Sequence, residues 1–264
     1  MVLRLALNLG LKLGLKLGLG LAVSGVVLLG PPASAVESRA PRAAYASVEI
    51  GRSVAGRPIV AWHLGETRKP KVVLVAGMHG NEAAPTAILR TLRDGKTVHG
   101  IDLWVVPAYN PDGLARGTRR NARGVDLNRN YPYHWAPLGG SYYSGPKPAS
   151  EPETRAMMRF LGKVRPDYIL SFHQPLHGVD VAVERPAFAR RVARMLGLPT
   201  TTLDCGGVCH GTMTGWYNHR FPGFALTVEY GARPGASLMT RTAPGQVLRV
   251  FGAWRGTNLA EPLP

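Results

Sequence analysis

Four short apolar runs, at 71–76, 101–107, 167–172 and 224–230, are each closed by glycine, proline or a polar cluster, and they constrain this chain more than any other feature. Runs of that length, rich in β-branched and aromatic residues, read as strands buried on both faces. Between and after them lie segments of helical character at 83–92, 151–162, 186–196 and 246–254. In 186–196, Phe188, Val192, Met195 and Leu196 recur at helical spacing, which turns Arg190, Arg191 and Arg194 to solvent. Ser150-Glu151-Pro152-Glu153 has the capping-box form of a helix start. A hairpin is expected from 46–50 and 58–63 around a turn at 51–56. This alternation predicts an α/β single domain over 36–264, with a mixed, mostly parallel twisted sheet and helices on both faces. Sites in such folds gather at the carboxyl ends of strands. The 32 glycines and 22 prolines exclude a coiled coil. No apolar run reaches the ~20 residues that a membrane-spanning helix needs.

Residues 1–35 differ in kind. Arg4, Lys12 and Lys16 occur without an acid, 17–29 is apolar and Gly-rich, and Ala33-Ser34-Ala35 follows two prolines. That order is the order of a signal peptide, with cleavage expected near Ala35 and a secreted or cell-wall-associated product with no stable membrane span. An uncleaved anchor is the alternative, and the repeated Leu-Lys-Leu-Gly of 11–18 also fits an amphipathic strand or a membrane-surface helix. Export fits the cysteine usage. Cys205 and Cys209 are the only pair, in a Gly-containing loop, and in an oxidising compartment they are expected to form a disulfide. Two cysteines alone cannot complete a zinc site.

The formal charge is +16 and remains +13 without Arg4, Lys12 and Lys16; arginine supplies 25 of the 32 cations. No zinc-finger spacing or RNA-binding aromatic signature accompanies this charge, so no nucleic-acid partner is expected. An anionic cell-wall surface is one partner such a chain would suit; an Arg-rich residue usage spread evenly over a solvated surface is the other account.

The chemistry-bearing residues stand at the expected strand ends: His79 and Glu82 after 71–76, His173 after 167–172, and Glu229 near the end of 224–230. His-x-x-Glu alone is weak, and the chain has a second pair, His63-Leu-Gly-Glu66, which reads as a surface turn with no third ligand. Zinc in hydrolases takes three His or carboxylate ligands and keeps one position for water. His79, Glu82 and His173 supply that count for one Zn2+. Glu229, on an apolar strand, is the candidate acid–base group.

His79-Gly-Asn-Glu82, Asn110-Pro-Asp-Gly113, Arg119-Arg-Asn121, Gly124-Val-Asp-Leu-Asn-Arg-Asn130, Ser150-Glu-Pro-Glu-Thr154, Ser171-Phe-His173 and Thr227-Val-Glu229 follow one another along the chain. This order resembles that of the zinc carboxypeptidases of the carboxypeptidase A superfamily, over essentially all of 36–264. The run at 121–130, Ser-Phe-His-Gln-Pro at 171–175 and the compact length are similar to its murein peptide amidase branch. The resemblance implies a zinc carboxypeptidase-like fold with zinc on His79, Glu82 and His173 and with Glu229 as general base and acid. It further implies that Arg119 holds the developing oxyanion, with Arg120 as its rival, and that Asn128 and Arg129 clamp a substrate carboxylate. Asp126 is implied as the partner of the outer ring nitrogen of His79, and Thr214 and Thr227 as the lining of the specificity pocket. One feature departs from the family. The tyrosine that carboxypeptidases carry ahead of a tryptophan resembling Trp216 is absent, Gly206-Gly207 standing there, with His210 or Tyr217 as possible replacements. No acidic residue is evident in the pocket lining, so a preference for basic side chains is not expected.

The function implied is a secreted zinc-dependent amidase that hydrolyses the γ-D-Glu–meso-diaminopimelate amide of peptidoglycan peptides. A general metallocarboxypeptidase acting on protein C-termini is the alternative within enzymes, and a non-catalytic wall-binding module the alternative outside them. Glu229 and Arg119 speak against the module, which has no use for a base or an oxyanion donor.

Overall fold

A computed structural model describes residues 44–203 and 206–256, so the segment 1–35 and Cys205 lie outside the described residues. The strands are β1 (Ala44–Arg52), β2 (Pro58–Gly65), β3 (Lys71–Val75), β4 (Val98–His99), β5 (Asp102–Val106), β6 (Tyr168–His173), β7 (Leu176–Asp180), β8 (Thr200–Thr201), β9 (Phe224–Gly231) and β10 (Trp254–Arg255). The helices are α1 (Thr86–Asp94), α2 (Pro111–Arg116), α3 (Pro152–Val164), α4 (Pro186–Leu196), α5 (Met213–Arg220) and α6 (Ala243–Val250). Eight strands form one mixed sheet in the order β1-β2-β5-β3-β6-β9-β7-β8, and β4 pairs with β10 apart from it. The centre is parallel: β3 runs with β5 and β6, and β6 with β9.

Side chains alternate across the central strands, so successive residues feed opposite cores. Leu74, Leu103, Leu170 and Val228 pack against α1, α4 and α6 through Leu89, Val192 and Val247. Val73, Ile169 and Ala225 pack on the other face against α3 and α5 through Met157, Phe160 and Trp216. Each large aliphatic side chain buried this way contributes roughly 1.5–3 kcal/mol. The expected three layers are therefore present. From β3 the chain goes to β5 on one side and then, through α3, to β6 on the other. That reversal opens a crevice between the ends of β3 and β6.

Several local expectations are corrected. Ser150 does not cap α3: its hydroxyl donates to Glu151 Oε1 at 2.8 Å, and no side chain caps this helix, while Glu153 accepts from Val54 N at 3.0 Å. The capping-box residues have been drawn into longer-range polar bonds. The last helix begins at Ala243, with Pro244 in its first turn, and stops before Gly252 at φ +69°, so Trp254 joins β10 instead. Helix α1 starts at Thr86, later than 83, because the residues before it are closed by tighter i→i+3 turn bonds, Thr86 N to Ala83 O and Ala87 N to Ala84 O at 3.1 Å each. His63 lies within β2, its Nε2 2.8 Å from Asp102 Oδ1 and its ring stacked on Trp104, and Glu66 pairs with His99. That pair is structural, but it is not a surface turn.

Candidate metal centre and cleft

The segment after β3 bends sharply to bring His79 back over the sheet. Gly77 takes φ +66°, a value that suits glycine, and a Cβ on Gly80 would lie 1.9 Å from the backbone of Gly113. Gly80 N donates to Thr118 O at 2.9 Å, which seats this turn on the loop that carries Arg119. His173 closes β6, and it lies in register with Glu229 on β9.

His79, Glu82 and His173 are buried and each offers a ligand atom within 4.8 Å of the others. His79 Nδ1 is 2.9 Å from Glu82 Oε1, His173 Nδ1 is 2.9 Å from Glu82 Oε2, and the two Nδ1 atoms are 3.3 Å apart. The outer nitrogens have partners of their own. His79 Nε2 meets Asp126 Oδ1 at 3.0 Å, and His173 Nε2 meets Ser171 Oγ at 2.9 Å. With each ring's N–H turned outward to those partners, both Nδ1 lone pairs and the Glu82 carboxylate face one point with no proton among them. Such a donor set fits a divalent cation of the zinc type.

Burial alone would push His79 down, but the carboxylates of Asp126 and Glu82 outweigh it and hold its pKa above the ordinary imidazole value. Burial would raise Glu82; hydrogen bonds and charge from His173 and His79 outweigh that and hold it well below the carboxylate range. Asp126 is likewise held low against its burial by His79, Arg119 and Arg129. Glu229 moves the opposite way, raised above its ordinary value by burial, with Leu176 N donating to its Oε2 at 3.3 Å. A carboxyl on an apolar strand that retains its proton to higher pH suits proton transfer.

Arg119 donates from Nε to Asp126 Oδ2 at 3.0 Å and from Nη1 to Glu82 Oε1 at 3.1 Å. Arg120 instead donates to Gly140 O, away from the centre. Arg129 is 4% exposed; its Nη1 donates to Asn128 O at 2.8 Å and its Nε has no partner among the described residues. Burial lowers its pKa. Asn128 Oδ1 accepts from Met213 N at 3.0 Å. His79, Glu82, Arg119, Asn128, Arg129, His173 and Glu229 line one cleft of about 810 Å³, together with Thr214 and Thr227; Asp126, Arg120 and Ser171 do not.

Two sequence expectations fail here. His210 bonds His134 O, and Tyr217 is buried with its hydroxyl on Pro166 O, so neither lines the cleft. Tyr133 and Tyr142 do. Asp180 and Glu184 also line it, so the lining does hold acidic residues. Asp180 ends, and Glu184 follows, β7, a short strand antiparallel to β9 that no apolar run announces. Ser171 was within reach of the sequence: two residues before His173 on a strand places it on the same face.

A zinc carboxypeptidase family model matches residues 34–177. The chain belongs to the zinc carboxypeptidase family. That span carries His79, Glu82, Asp126, Asn128, Arg129 and His173, while Glu229 arrives from β9 beyond it. Murein peptide amidase A of Escherichia coli K12 is 34% identical over 162 residues, covering 54% of this chain and 65% of that relative. The chain thus spans just under two thirds of that protein's length. The crystal structure of murein-tripeptide amidase from Escherichia coli O157 superposes with a TM-score of 0.64 at 25% identity, covering 80% of this chain and 93% of that one. Carboxypeptidase A from Helicoverpa armigera shares the zinc carboxypeptidase fold, with a TM-score of 0.65 at 18% identity over 79% of this chain and 69% of its own.

Proposed function

We propose that this family member is a secreted zinc-dependent amidase that cuts the γ-D-Glu–meso-diaminopimelate bond of peptidoglycan peptides. The observation that carries the reading is Arg129, a buried guanidinium with an unpartnered Nε in the cleft of the His79–Glu82–His173 cluster. An unpaired donor on a buried cation is costly unless a ligand completes it, and a planar carboxylate fits it. The murein peptide amidase relatives support the choice of substrate.

His79, Glu82 and His173 would hold the zinc. When bound, zinc supplies Lewis-acid polarisation and makes water a nucleophile near neutral pH. Glu229 takes the water proton and hands it to the leaving amine. Asp126 fixes the His79 tautomer, and Ser171 that of His173. Arg119, at the cluster's edge, offers its guanidinium to the carbonyl oxygen as negative charge develops. Asn128 and Arg129 grip the carboxylate next to the scissile amide. Thr214 and Thr227 line the leaving residue, and Asp180 and Glu184 face its free ammonium.

The same two acids favour a second reading, a carboxypeptidase that removes basic residues from peptides. Export after cleavage near Ala35, a Cys205–Cys209 bond and wall adsorption through the +13 charge complete the proposal; the sequence alone supports them.

The test is parallel hydrolysis of L-Ala-γ-D-Glu-meso-diaminopimelate, the tetrapeptide extended by D-Ala, and hippuryl-Arg. In the tetrapeptide the carboxylate beside the scissile amide is consumed by the added bond, which leaves Arg129 unpaired at a penalty of ~3–5 kcal/mol. The tripeptide is expected to be preferred by orders of magnitude, and Arg129→Ala to shrink that preference. Equal kcat/KM for tripeptide and tetrapeptide sinks the clamp; faster hippuryl-Arg turnover establishes the second reading.

A further inference from the structure

Tyr142 ends a short turn at the cleft rim and is 41% exposed, which no packing requirement explains. Its ring lies 5.3 Å from Cζ of Arg119 and 5.2 Å from Cζ of Arg129. Two like charges therefore share one aromatic ring. The backbone fixes the ring's place: Asp126 N donates to Tyr143 O at 2.8 Å, and Arg120 Nη1 to Gly140 O at 3.0 Å. The turn is thus tied to the segment that carries both arginines.

We propose that Tyr142 is a positioning residue whose ring face holds the Arg119 and Arg129 guanidiniums at their working places in the cleft. This rests on the substrate-binding roles given above to the two arginines. The face of an aromatic ring attracts cations, so the ring offsets the repulsion of two guanidiniums that the cleft keeps close. Its effect on the two is unequal. Arg119 is also held by Glu82 and Asp126, whereas Arg129 has one bond to Asn128 O and an unpartnered Nε. Removing the ring therefore frees Arg129 more than Arg119, and substrate binding suffers more than turnover.

The experiment compares Tyr142→Phe, Tyr142→Leu and Tyr142→Ala in the zinc-loaded protein, with Tyr143→Ala as an exposed neighbour outside the cleft. Tyr142→Ala and Tyr142→Leu should raise KM for the tripeptide about tenfold with kcat within about threefold, and Tyr142→Phe should recover most of the loss. Leucine keeps bulk without the π face, so it separates the ring's electrostatics from its packing. NMR of the arginine Nε–H groups, without substrate, should show the Arg129 signal shifted in the alanine and leucine variants and restored by phenylalanine. Loss in the phenylalanine variant equal to that in alanine, or unchanged Arg129 signals with unchanged KM, overturns the proposal. If the wild type turns over neither peptide class, the functional reading fails, and the arginine signals still decide for or against Tyr142.

Discussion

Two buried polar clusters share neighbouring stretches of the 119–130 segment and differ in one respect. Around Asn121 every bond closes on the protein: Nδ2 donates to Glu151 and Glu153, and Oδ1 accepts from Arg123 N and Val125 N. Asn130 and Asp112 are occupied in the same way, by Ser144, Ser150 and Glu151 in one case and by Ala55 and Arg57 in the other. Around His79 the lone pairs crowd toward a point, and Arg129 Nε is left without a partner. A closed network of buried polar groups holds the chain together; one left open toward a cleft holds something else. Motifs that run together along the sequence, such as Arg119-Arg-Asn121 and Asn128-Arg-Asn130, thus divide between the two tasks.

The comparison breaks most directly at the ligands. The double variant His79→Ala/His173→Ala should lose all stoichiometric zinc, measured by elemental analysis, together with all hydrolysis, whereas Asn121→Ala should keep zinc at the wild-type ratio. Next in size is Glu229→Gln, which preserves shape and removes the base. Its kcat should fall ~10²- to 10⁴-fold with zinc retained, and near wild-type turnover would place the base elsewhere. Asn121→Ala should act on the other side of the divide, lowering stability by ~1–3 kcal/mol in denaturant melts because two buried carboxylates lose a shared donor. The smallest effect concerns pH. Burial first, and then the charge of Glu151, raise the Glu153 pKa above its ordinary value, although bonds from Val54 N and Asn121 oppose this. The folded protein binds that proton more tightly than the unfolded chain, so the contribution is fully present below the ordinary glutamate range and is lost as pH rises through the raised value. Glu153→Gln should therefore gain melting temperature relative to wild type as pH rises from the ordinary glutamate range through the raised value; a constant difference across that rise removes the assignment.

Where a chemical demand coincided with a strand end, the sequence was readable. The four apolar runs became β3, β5, β6 and β9, and His79, Glu82, His173 and Glu229 converge where their ends predicted. Helix α4 spans 186–196 as its spacing required. Short elements with little apolar content were not readable. Helix α2 hides in Asn110-Pro-Asp-Gly113, although Asn110 caps it through Gly113 N and Pro111 opens it. Helix α5 is capped by Thr212, whose hydroxyl accepts from Gly215 N, amid residues that look like a loop. Asp180, Glu184 and Tyr142 reach the cleft from such segments, by tertiary placement that no local period encodes.

The parallel pairing of β3 with β6 and of β6 with β9 has a temporal consequence. His79 and Glu82 meet within one turn, but His79 and His173 are 94 positions apart, so the cluster is complete only once the crossover from β3 to β6 has folded back. Loop closure over such distances comes late, after local structure. A metal taken up by this cluster would therefore mark a late stage of folding rather than its nucleation, and a zinc-sensitive dye added during refolding would time the pairing of β3 with β6.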